Sequence, residues 1–165
     1  MRTVHLIDRL ASCTAVAGAC LVIPLFSVMF YEVVLRFVFD LPTFWAYEVA
    51  YMLTGAHFAL GIAYVLREGR HVRVDFIYAR LSGRTRAIID FTVYAFFLWP
   101  LMMWLSWALF RTTIEAYRVG EVSGEAVWNP LMWPLYFVVA VGFTVFTAQI
   151  FAECLKAISR IRPSR

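Results

Sequence analysis

A chain of 165 residues that is 62% hydrophobic and only 16% charged, with a mean hydropathy of +0.74, carries too little polar surface to coat a soluble globule. Its net charge of +4 and pI near 9.2 would suit a nucleic-acid binder, but the basic residues are segregated by loop rather than gathered in one patch, which argues against that class.

Four apolar stretches occupy most of the chain: Leu10 to Leu35, Phe44 to Leu66, Ala87 to Phe110 and Leu131 to Phe151. A helix needs about 20 mainly apolar residues to cross the hydrocarbon core, where each backbone N–H and C=O must be satisfied within the segment. Each stretch meets that length, and none shows a polar face at a period of 3.6. The expected fold is an all-α integral membrane protein, one membrane domain over residues 1–165 with four transmembrane helices at 10–35, 44–66, 87–110 and 131–151.

The first stretch follows Met1 and Arg2 and contains the small-residue run Ala17-Gly18-Ala19-Cys20, which resembles a lipoprotein cleavage site. Apolar sequence continues from Leu21 to Tyr31, too long for a removed signal segment, so retention as a signal anchor is expected. Cys13 and Cys20 are seven residues apart, about 10 Å along a helix, too far for a disulfide and without metal-ligand spacing. Together with Cys154 they read as small buried residues.

Asp40-Leu41-Pro42 closes the first loop, and Gly120 and Gly124 break the third. The second loop, REGRHVRVDFIYARLSGRTR, repeats Val74, Ile77, Tyr78 and Leu81 at i, i+3, i+4 and i+7. With Arg73, Arg80 and Arg84 available to lipid headgroups, residues 72–84 are expected to form a short amphipathic helix lying in the interface; a solvated basic loop is the alternative. Twelve of the fifteen basic residues lie before the first span, in this loop or in the tail, against three in the other two loops. The positive-inside rule then puts both termini in the cytoplasm.

Small residues at four-residue spacing let membrane helices approach closely. They form rows at Ala11, Ala15 and Ala19, at Gly55, Ala59 and Ala63, and at Ala140, Thr144, Ala148 and Ala152. The third span is instead rich in aromatic residues, among them Phe96, Phe97, Trp104 and Trp107, as suits a surface against lipid or a bulky partner. Trp45, Trp128 and Trp133 stand near outer span ends, where an aromatic belt is expected. Pro24 and Pro100 are the positions at which two spans are expected to kink.

Ionisable groups inside a membrane segment are costly and are functional candidates by default. Glu32 and Arg36 are four apart at the outer end of the first span, and Glu48 begins the second, so Arg36 is expected to pair with Glu32 or Glu48, or alternatively to meet a partner subunit. Asp90 after Arg86, and Glu153 before Lys156, read as inner-surface ion pairs. His57 falls near the middle of the second span, where an imidazole either hydrogen-bonds a neighbouring helix or relays protons. A membrane haem anchor would need two axial histidines at depth, and His5 and His71 lie outside the core. No nucleotide, metalloprotease, redox-thiol or nucleophile-elbow motif occurs, which points away from an enzyme.

The segment Arg36-Phe37-Val38-Phe39-Asp40, then Trp45 and Glu48, Gly61, Arg67 and His71-Val72-Arg73-Val74-Asp75 occur in an order that closely resembles the small permease subunit of TRAP transporters. Trp133-Pro134, Gly142, Gln149 and Glu153 in the fourth span are similar to that family's closing pattern. One departure is that Tyr47 precedes Glu48 where many members carry a second acid. The resemblance spans roughly Val33 to Ile158. It implies a tripartite importer of organic acids in the bacterial inner membrane. In such a system a periplasmic solute-binding protein captures substrate, and a large permease subunit holds the substrate and sodium sites. This chain would brace the large subunit and contribute no cofactor, metal or sodium ligand. Glu32, Arg36, Trp45, Glu48, His57, Gly61, Arg67, His71, Asp75, Trp133 and Gln149 are the candidate structural or partner-interface residues. Two other function classes remain open: an independent small carrier, which would move solute alone, and a membrane anchor of a quinone-linked redox enzyme, which would show a haem spectrum.

Overall fold

The structure, a computed structural model, describes residues 2–69, 83–125 and 127–161. Among them every regular element is helical: α1 (Arg2–Cys20), α2 (Val22–Val38), α3 (Ala46–Arg67), α4 (Gly83–Thr92), a π-helical turn (Val93–Leu98), α5 (Trp99–Val119) and α6 (Trp133–Ile161). Four helical units are long and apolar enough to cross a membrane: Arg2–Val38, Ala46–Arg67, Ile88–Val119 and Trp133–Ser159. They overlap the four apolar stretches, starting one or two residues inside the last three and running past the C-terminal end of each. The first unit has 37 residues, roughly 55 Å at 1.5 Å per residue against a hydrocarbon core of about 30 Å, so its ends reach beyond that core.

Both expected proline positions interrupt a span, each in its own way. Pro24 has no N–H to give the carbonyl of Cys20, and its ring crowds that carbonyl. The chain turns there at Leu21, whose N–H is shared between Ala17 (3.3 Å) and Gly18 (3.1 Å), and α2 resumes beyond it. Pro100 likewise cannot bond the carbonyl of Phe96. The backbone widens into a π turn just before it, where the Trp99 N–H reaches five residues back to the Tyr94 carbonyl.

α6 is the centre of the bundle. It packs against α1, α3, α4 and α5, while α1 and α2 also lie on α3. Half of its most apolar window is buried within the protein, against 28% for α3 and 6% for the first and third spans. Small residues make the central contacts. Ala59 and Ala63 are buried on α3, and a Cβ placed on Gly142 of α6 would stand 2.4 Å from the Ala59 carbonyl oxygen. On α1 the close contact falls to Gly18 rather than to the expected Ala15 and Ala19: a Cβ there would meet the His57 carbonyl oxygen at 3.1 Å, while Ala19 is exposed. Ala11 does pack as expected, fully buried. Aromatic and aliphatic side chains fill the remainder, with Leu66, Phe146 and Ile150 buried and Trp99 6.1 Å from Phe151.

The outer surface is apolar. Phe96, Phe97, Trp104 and Trp107 are all exposed, as the composition of the third span predicts. Cys154 is buried, but Cys13 and Cys20 are exposed on α1, against the expectation that all three are buried. They are seven residues apart, two turns, and so share the face of α1 that packs against no other helix among the described residues, while Ala11 and Gly18 face the bundle.

Candidate functional site

Three polar clusters tie the apolar helices together at their ends. In the first, Glu32 of α2 is buried and accepts from the Arg36 Nε one turn later at 2.9 Å. Its other oxygen, Oε2, accepts from the Thr43 N–H at 3.0 Å and from the Thr43 hydroxyl. The Leu41 N–H also bonds the Leu35 carbonyl at 3.0 Å, so the loop through Asp40, held at a φ of 55°, folds back onto the end of α2. Tyr31 stacks on Trp45 with ring centres 6.0 Å apart, closing the same corner.

Glu48 does not join that cluster. Of the two partners expected for Arg36, Glu32 is the one it takes, and the Glu48 carboxylate instead accepts from the Ser123 hydroxyl in the loop between α5 and α6. Sequence reasoning placed the three charges together because they share one end of two adjacent spans; the helix rotations separate them. Gly120, left-handed at φ 64°, ends α5, and paired bonds from Ser123 to Pro130 (3.1 Å) and from Met132 to Glu121 (3.0 Å) fold the loop into a narrow turn that presents Ser123. Glu48 is 3% exposed, and its Oε2 has no hydrogen-bond partner among the described residues. Beside it lies a cleft of about 290 Å³ walled by Tyr47, Tyr51, Met52, Glu125 and Tyr136, with the Tyr136 hydroxyl donating to Glu121 at 3.1 Å.

The third cluster sits at the opposite end. Asp8 Oδ1 accepts from Gln149 Nε2 at 2.8 Å and from Lys156 Nζ at 2.9 Å, while Glu153 Oε1 accepts from the same two donors at 3.2 and 2.7 Å. This includes the expected Glu153–Lys156 pair and extends it to the start of α1. Arg67 of α3 donates to the Ser12 hydroxyl and lies 5.7 Å from the Tyr64 ring. Asp8 precedes the first apolar stretch and Lys156 follows the last.

The remaining candidates are scattered. His57 rests its ring against Phe58, 4.8 Å between centres, and makes no hydrogen bond among the described residues. Gly61 has open space around its Cα. Trp133 meets Tyr117 edge to face at 5.5 Å. His71, Asp75 and the interfacial segment 72–84 lie outside the described residues but for Gly83 and Arg84, which open α4; so does the Arg86 side chain of the expected Arg86–Asp90 pair. Asp8 and Ser123 were missed by sequence reasoning. Asp8 had one available signal, as the sole acid ahead of the first span and four residues before Ser12; Ser123 had none.

Ionic contacts near the ends, small residues at the crossings and apolar side chains outside describe a membrane-spanning helical bundle. The match to known families agrees with it: the family of tripartite ATP-independent periplasmic transporters, DctQ component, matches residues 25–160. The chain belongs to this family. It is therefore a small subunit of a TRAP transporter, a family of transporter components rather than of enzymes. No curated protein and no solved structure matches. The DctQ family works with a large permease and a periplasmic binding protein in TRAP systems.

Proposed function

We propose that this chain braces the large permease subunit of a sodium-coupled, binding-protein-dependent importer of organic acids in the bacterial inner membrane, with both termini cytoplasmic. The family match over residues 25–160 carries the reading. The architecture supports it. Polar contacts among the described residues tie helix to helix or loop, and the acids that take part in them stand near the ends of the spans, so the substrate and sodium sites are assigned to the large subunit. The wide aromatic exposure of the third span, Trp104 and Trp107 included, suits burial against another membrane chain as well as lipid.

A chain that braces another is held by it in detergent. Expressed with the large permease subunit of its system, the tagged chain is expected to carry that subunit through purification and size exclusion as one species. Recovery of the two as separate species, each folded, would contradict the proposal.

A further inference from the structure

Resting on that assignment, the geometry points to the Glu48 cleft as a socket for a basic side chain, arginine or lysine, of the large permease subunit. Two carboxylates line the cleft, Glu48 and Glu125, and a third, Glu121, is bonded to the Tyr136 that lines it. Among the described residues no basic side chain lines it to balance them. Glu48 is almost wholly buried and has one oxygen without a partner among the described residues. A buried carboxylate with an unused oxygen is costly alone and is relieved by a cation that brings its own N–H donors.

The rest of the wall suits an organic cation. Tyr47, Tyr51 and Tyr136 offer ring faces to a guanidinium or ammonium, Met52 gives apolar contact to its stem, and about 290 Å³ accommodates such a side chain. No group of three or more acidic, histidine or cysteine side chains that could hold a metal ion occurs among the described residues. The occupant is assigned to a membrane chain because Tyr47 and Tyr51 at the cleft continue down α3 to Phe58, all three exposed on one helical stripe. A helix lying along that stripe covers the apolar residues and the cleft together. A soluble protein arriving from outside reaches only the mouth.

The test uses the purified complex of this chain with its large subunit and solute-binding protein. A Tyr51→p-benzoylphenylalanine variant is irradiated and the cross-linked peptides are sequenced. The expected product joins this chain to a large-subunit peptide containing Arg or Lys. Adding Glu48→Gln, which keeps the side chain's shape, is expected to lower its yield at least about fivefold, the scale of one charge-assisted hydrogen bond. Glu125→Gln, on an exposed position where folding is not at risk, is expected to lower it about twofold and decides the matter should Glu48→Gln not fold. Cross-links to lipid or to the binding protein alone, or yields unchanged by Glu125→Gln and by a folded Glu48→Gln, would overturn the socket. Failure of the unmodified chain to assemble with the large subunit would instead overturn the family-based assignment.

Discussion

At the scale of single residues, the strength of each polar cluster follows from what its carboxylate would lose. Arg36 is half exposed, and pairs of that kind contribute roughly 0 to 1 kcal/mol. Glu32 holds Thr43 by two bonds as well as Arg36. Glu32→Ala is therefore expected to cost about 1 to 3 kcal/mol, and Arg36→Ala less than about 1 kcal/mol, measured as thermal stability in detergent; the reverse ranking would show that the ion pair, not the loop tie, holds this corner. At the other end, Asp8→Asn removes a charge that serves both Gln149 and Lys156. The variant is therefore expected to melt at a lower temperature than wild type in detergent at pH 7; an unchanged melting temperature would show that the charge is irrelevant. Short-range pairs such as Glu32–Arg36 and Glu153–Lys156 were legible because helical spacing fixes them. The ties from Asp8 to Gln149 and from Glu48 to Ser123 join residues far apart in sequence, and helix rotation decides them.

At the scale of elements, the spans were legible from apolar length alone, and the interruptions near Pro24 and Pro100 from the missing N–H. The form of each interruption was not. A turn at Leu21 and a π turn at Val93–Leu98 are two ways of freeing one carbonyl, and the surrounding packing selects between them. Small-residue spacing named the right helices but not always the right residues, since Gly18 and Gly142 lie off the rows of four. The crossing of α3 and α6 offers a direct check. Gly142→Ala would drive a methyl into the Ala59 backbone at 2.4 Å, where neither helix can yield without moving, and is expected to cost about 3 kcal/mol, the upper end for overpacking. Gly61→Ala meets nothing within 4 Å in this chain, so it should leave the melting temperature of the isolated subunit unchanged. Equal tolerance of both substitutions would refute the close crossing.

At the scale of the whole molecule, the proposed orientation rests on charge. With twelve of fifteen basic residues on one side, a cysteine at Val127→Cys, in the exposed loop before α6, should be labelled from outside intact cells, and Gly83→Cys should not. The opposite pattern would invert the topology. The central claim is that this subunit is required for transport yet supplies no coupling residue. His57, near the middle of α3, is where that claim is most exposed, because its titratable ring has no hydrogen-bond partner among the described residues. The decisive measurement is sodium-driven uptake of the binding protein's organic acid into proteoliposomes holding the large subunit with wild-type chain, with His57→Gln, or with none. Omission is expected to abolish uptake, and His57→Gln to keep both the rate and the sodium dependence. A His57→Gln complex that assembles normally but loses its dependence on sodium, or full uptake without the chain, would contradict the account.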